Sequence, residues 1–148
     1  MKFVMDTNVL VAGLRSKTGA AAEILRLALL GRLTLLASVA VFLEYEAVTT
    51  REAHLAAAGV TEVDVTNLLD SLAGKVSPIE IQFSWRPQLK DPDDEMVLEL
   101  AVNGGADAII TFNARHFGIS AKAFGIAVLT SKEALIQLQS LSASRGRN

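Results

Sequence analysis

Three apolar residues, Phe3-Val4-Met5, are cut off at Asp6-Thr7-Asn8 before the chain resumes as Val9-Leu10-Val11-Ala12-Gly13-Leu14. The run is too short for a helix and lacks the alternation of a half-solvated strand, so it predicts a strand buried on both faces. Strands of that kind belong to α/β sheets covered by helices. A carboxylate at the carboxyl end of such a strand lies where open α/β sheets place their ligand crevices, which makes Asp6 a site candidate by position. The alternative is that Asp6 or Thr7 only caps the helix that follows.

The rest of the chain alternates helical and strand signals, without repeats or a low-complexity linker. Ser16 to Gly19 reads as a polar turn, and Ala20 to Leu30 as a helix stopped by Gly31. Apolar residues nearly encircle that helix, which is compatible with a partner or with cover inside the monomer. Leu33 to Ala37 is a second strand, followed by Ser38 as the N-cap of a helix from Val39 to about Thr50. Glu52 to Gly59 continues helically, and Thr61 with Asp64 forms a capping box for a helix to about Ala73. Val76 to Ile81 is a third strand weakened by Pro78, which cannot donate to a ladder. Phe83 to Lys90 is a loop whose Trp85 reads as a partly buried anchor in preference to a base-stacking residue. Ala106 to Thr111 and Ile126 to Leu129 are the last strands, and Thr130 with Glu133 caps a final helix to about Leu141. Residues 1–141 then make one domain, with 142–148 a flexible basic tail.

Two helices carry acids where apolar residues are expected. On a wheel at 100° per residue, Ala40, Val41, Ala47 and Val48 fall within about 60° of Glu44. A carboxylate on such a face must be paired, protonated or bound to a cation; Arg51 is the available ion-pair partner. In Asp91-Pro92-Asp93-Asp94, Asp91 suits the N-cap and Pro92 the first helical position, but capping leaves Asp94 unexplained. Asp94 lies about 40° from the centre of the face marked by Val97, Leu98 and Ala101, opposite Glu95, Glu99 and Asn103. Asp107 sits at the far end of its strand and reads as a turn residue or structural partner.

Polar groups at strand ends and helix starts therefore converge: Asp6, Glu44, Asp94 and the Thr111/Asn113 pair. Carboxylates packed together repel unless a cation compensates, and oxygen ligands without any cysteine point to Mg²⁺ or Mn²⁺. Such a cation activates a water and stabilises the leaving oxygen in phosphodiester hydrolysis. His54 falls in a helical, solvated segment, and there is no glycine-rich phosphate loop. A formal charge of −2 gives no general attraction for nucleic acid, so a nucleic-acid substrate requires a local basic rim. Arg15, Lys17, Arg115 and Lys122 are candidates for it, with His116 beside them able to contact a phosphate. No apolar window approaches the roughly 18 residues of a membrane span, so the expected location is the cytoplasm.

Asp6-Thr7-Asn8-Val9-Leu10, Glu44-Tyr45, Asp91-Pro92-Asp93-Asp94 and Thr111-Phe112-Asn113 resemble, in this order, the motifs of the PIN domain. More narrowly, the chain looks like the toxin components of prokaryotic toxin-antitoxin systems related to VapC. The resemblance implies a PIN-like α/β/α sandwich around a central, mostly parallel sheet of four to five strands. It also implies an endoribonuclease using Mg²⁺ or Mn²⁺, an RNA substrate, a cognate antitoxin protein and a homodimer. Asp6, Glu44 and Asp94 match the family's metal-binding acids, and Asn113 stands where the family often has a fourth acid. An asparagine brings a carbonyl oxygen but no charge, which bears on a second metal; Asp91 or Asp93 would have to compensate. Thr7, Asn8, Arg15, Thr111, Arg115 and His116 would line the substrate path.

Two other readings fit less of the chain. One is a catalytically silent PIN-like module that binds RNA or protein, favoured by Asn113. The other is a phosphoacceptor or phosphatase, for which Asp6 lacks an acidic neighbour and Lys122 or Lys132 would have to serve.

Overall fold

The computed structural model describes residues 1–84 and 89–146; the reading of Trp85 lies outside them. Strands β1 (Lys2–Met5), β2 (Thr34–Ala37), β3 (Ser77–Pro78), β4 (Ala108–Ile110) and β5 (Ala127–Leu129) form one sheet in the order β3-β2-β1-β4-β5. Every pairing is parallel. Helices α1 (Thr7–Arg15), α2 (Ala20–Leu29), α3 (Val39–Thr49), α4 (Glu52–Ala58), α5 (Glu62–Ala73), α6 (Pro92–Gly104), α7 (Ala114–Ala123) and α8 (Ser131–Gly146) connect and cover the strands. Parallel strands need such crossovers, and helices on the sheet bury it. Phe3, Val4 and Met5 are accordingly 0% exposed.

The order of the strands locates the crevice. The chain lays β2 and β3 on one side of β1, then returns to lay β4 and β5 on the other. The winding reverses between β1 and β4, and at such a switch point the connections leave in opposite directions and open a gap beyond the strand ends. Met5 pairs with Ile110, and the Asp6 amide donates to the Ile110 carbonyl at 2.9 Å. Asp6 and Thr111 thus emerge side by side.

The caps form as the sequence predicts: Ser38 accepts from the Val41 amide, Thr61 and Asp64 make a reciprocal capping box, and Asp91 accepts from the Asp93 amide. Thr130 and Glu133 exchange the same pair of bonds ahead of α8. The Lys2 amide donates to Asp107, confirming that aspartate as a structural partner.

Other expectations are corrected. The third strand shrinks to Ser77–Pro78 at the sheet edge, where proline's missing N–H costs no ladder bond. Glu95, Glu99 and Asn103 are half-buried, because the chain after β3 folds over them. Asn103 accepts from the Gln82 and Phe83 amides, and Glu95 accepts from the Leu89 amide. Gly104 does more than end α6: a Cβ there would stand 2.6 Å from Leu36 Cδ1 and 3.1 Å from Ile79 Cγ1, so the helix lies close against β2 and the segment after β3. Between the fourth and fifth strands, where the sequence reading assigns no element, α7 forms over Ala114–Ala123, kinked at Gly118 with φ 37°. α8 continues to Gly146, through residues expected to fray. The apolar surface of α2 is largely covered inside the chain, where α1, α5 and α8 pack against it, leaving Leu30 exposed. That helix therefore gives no support for a dimer. Among the described residues, no helix is long and apolar enough to cross a membrane.

Candidate active site

At the floor of the crevice Asp6 is 8% exposed. It occupies the N-cap position of α1 but makes no side-chain cap bond. Its Oδ2 instead accepts from the Thr111 hydroxyl at 2.7 Å. The same Thr111 oxygen accepts from the Asn113 amide at 3.0 Å and from the Asn8 side-chain amide at 3.4 Å. Thr111 is 1% exposed, so its visible part in the cleft is to support Asp6 through that bond. Burial pushes the Asp6 carboxyl above the ordinary aspartate range; the Thr111 bond opposes this, and nearby Asp94 adds to it.

Asp94, also 8% exposed, reaches the floor from the first turn of α6. Burial raises its pKa too, against the opposing pull of His116 and with the help of Asp91 and Asp93. His116 Nδ1 lies 3.0 Å from Asp94 Oδ2, which fixes the imidazole at the mouth of the crevice.

Glu44 is a partial correction. The buried stripe of α3 is Val41, Tyr45 and Thr49, while Ala40 and Ala47 are exposed, so Glu44 sits at the edge of the core and half-buried. Its carboxyl is pushed up by partial burial and by Asp93, with Asp91 and Asp6 adding to this and Arg51 opposing it. Arg51 nevertheless makes no ion pair with Glu44 among the described residues, so the expected salt bridge does not explain this acid. Tyr45, next in sequence, is fully buried, and its hydroxyl donates to the Met5 carbonyl, tying α3 to the end of β1.

Asp6, Thr7, Asn8, Glu44, Asp94, Asn113 and His116 line one cleft of about 310 Å³, together with Asp91 and Asp93. Arg115 lies in an adjoining hollow with Lys90. Arg15 stands behind the cleft wall, its guanidinium 2.8 Å from His54 Nδ1. Sequence reasoning missed the wall itself: Arg51 and His54 both line the cleft, His54 half-buried and not simply solvated. A larger hollow of about 530 Å³ beside α3, α5 and β3 is almost wholly apolar, with Glu80 its one ionisable residue, whereas the ionisable groups gather in the smaller cleft. Neither Lys122 nor Lys132 lines that cleft, which leaves the phosphoacceptor reading without its lysine.

The donor set suits a hard divalent cation. Two buried carboxylates with raised pKa values face one cleft, and a positive charge between them would offset their mutual repulsion. Among the described residues, no three histidine, aspartate or glutamate side chains are arranged to hold an ion by themselves, so the expected triad of Asp6, Glu44 and Asp94 is not preformed. Mg²⁺ does not need one, because it commonly binds through one or two carboxylates and completes its shell with water and substrate phosphate.

Comparisons agree with this architecture. The fold is similar to that of a chain in the crystal structure of VapBC2 from Rickettsia felis bound to a DNA fragment from their promoter, at 14% identity and a TM-score of 0.55. The similarity covers 88% of this chain and 98% of that one. No curated protein sequence matches significantly. Residues 2–115 match the PIN domain, a span that contains every carboxylate of the cleft, and the chain belongs to the PIN domain family.

Proposed function

We propose that the protein is a metal-dependent endoribonuclease, the toxin component of a toxin-antitoxin system, hydrolysing RNA phosphodiester bonds. The observation that carries this reading is the pair of buried carboxylates, Asp6 and Asp94, facing one cleft at the switch point of the sheet, with burial pushing both pKa values up. PIN-family membership supports the nuclease chemistry.

Asp6 and Asp94 would hold Mg²⁺ or Mn²⁺, with Glu44, Asp91 and Asp93 within reach for water-mediated contacts and Asn113 offering a neutral carbonyl. When bound, the ion supplies positive charge at the scissile phosphate and lowers the pKa of water. The chain's own part is positional. Thr111 fixes one oxygen of Asp6, and Asp94 holds the His116 ring through Nδ1 at the mouth of the cleft. The VapBC2 complex supports a cognate antitoxin as partner. A homodimer and a cytoplasmic location complete the proposal.

The test is cleavage of a mixed RNA pool by purified protein in EDTA, Mg²⁺ or Mn²⁺. Cleavage is expected only with metal, and Asp94→Asn prepared identically should be at least about a hundredfold slower. The competing reading, a silent RNA- or protein-binding module, rests on the neutral Asn113; it gains if folded, antitoxin-free wild type binds RNA but is inert in every metal.

Thr111→Val keeps the shape of the buried side chain and removes the hydroxyl that orients Asp6. Cleavage should fall roughly 10- to 100-fold with little change in the circular dichroism spectrum. An unchanged rate would show that Asp6 does not need this support.

A further inference from the structure

Five carboxylates line the cleft, Asp6, Glu44, Asp91, Asp93 and Asp94, and a polyanion entering it meets their combined repulsion. An RNA strand needs compensating donors beside them. Of the basic residues singled out from sequence, Arg115 opens on the adjoining hollow and neither Lys17 nor Lys122 lines the cleft, which leaves Arg15.

We infer that Arg51, His54 and Arg15 form a phosphate-binding edge of the cleft, taking a backbone phosphate of the single-stranded RNA that flanks the cleaved one; this rests on the ribonuclease reading. Arg51 and His54 line the cleft from the start of α4, on the side where Arg51 acts on Glu44. Arg15 reaches them from the last turn of α1. A guanidinium has donors only, so in the 2.8 Å contact His54 Nδ1 must accept, and the ring hydrogen sits on Nε2. His54 therefore offers the cleft a donor of fixed orientation. Among the described residues, neither Arg15 nor Arg51 is within 4.0 Å of a carboxylate. Arg26, by contrast, is neutralised by Glu23 at 2.6 Å. Two guanidiniums without an ion-pair partner within 4.0 Å among the described residues, and a directed imidazole N–H, match the needs of a phosphodiester, whose oxygens accept from several donors at once. As an exposed staple between α1 and α4, the Arg15–His54 contact would contribute little to stability.

The experiment is steady-state cleavage of a fluorogenic single-stranded RNA oligonucleotide in Mg²⁺ between 50 and 200 mM KCl. Arg15→Ala, His54→Ala and Arg51→Ala should each raise KM about five- to tenfold and leave kcat within about twofold. With every phosphate interaction removed, the slope of log(kcat/KM) against log[salt] should become shallower by about 0.7. His54→Gln, which keeps a donor, should recover most of the loss, and Arg26→Gln should behave as wild type. Arg51 makes no hydrogen bond that holds α1 to α4, so Arg51→Ala decides the matter if Arg15→Ala misfolds. Unchanged KM and salt slope in variants of an active wild type overturn this edge and leave the ribonuclease reading standing. A fall in kcat at constant KM overturns it as well. A wild type inert in every metal overturns both.

Discussion

Asp6→Asn is expected to slow metal-dependent RNA cleavage by about a thousandfold, roughly 4 kcal/mol of transition-state stabilisation, and yet to raise the melting temperature of the metal-free protein at pH 7. Both effects come from one carboxylate. Burial raises its native pKa above the ordinary 3.8, so its protonated form favours the fold. That contribution is present below the unfolded value and is lost as pH rises through the native one, so at higher pH a neutral side chain at this position suits its buried surroundings better than the acid does. Asparagine never ionises and still accepts from Thr111. The gain should shrink as pH falls and vanish below about 4, where the wild-type carboxyl is protonated too. Saturating Mg²⁺ should raise the wild-type midpoint and leave that of Asp6→Asn nearly unmoved, since only a native state that binds the ion is stabilised by it. A variant that melts lower than apo wild type at pH 7 would show that Asp6 carries no such strain.

Tyr45→Ala should cost about 3–5 kcal/mol in urea unfolding, the usual range for emptying an aromatic site in a packed core. The ring is 0% exposed and meets Phe42 edge-on at 5.8 Å between centroids. Tyr45→Phe isolates the hydroxyl. It keeps the packing, removes the bond to the Met5 carbonyl and should cost about 1–2 kcal/mol. Because that bond joins the helix bearing Glu44 to the strand that ends at Asp6, Tyr45→Phe should also slow cleavage under conditions where the protein remains fully folded. Loss of stability without loss of rate would confine Tyr45 to the core.

What could be read from the residues was what local chemistry dictates. A short apolar run ending at Asp6, a proline-started helix with a surplus acid at Asp94, and the Ser38, Thr61, Asp91 and Thr130 caps each depend on near neighbours, and each is realised. The errors arose where tertiary packing assigns polarity. On α3 a wheel counts alanine as core and tyrosine or threonine as ambiguous, yet Tyr45 and Thr49 are buried because each finds an internal partner: Tyr45 donates to Met5 and Thr49 to the Tyr45 carbonyl. Asn103 looks solvated until a distant stretch of chain arrives to use its amide. α7 escaped because Gly118, at a positive φ, breaks the period that would have revealed it. Arg51 and His54 escaped for another reason: α4 spans only Glu52–Ala58, and its orientation is set by the helices it leans on.

The bond between Asp6 and Thr111 spans 105 positions of chain. On a ribosome, β1 is made before β2, β3 and α6, and the hydroxyl partner of Asp6, with His116 beyond it, follows all of them. Until then the first strand has no β4 beside it and the cleft has no second wall. The cleft therefore comes together only when β4 docks beside β1, after the segments between them have been made.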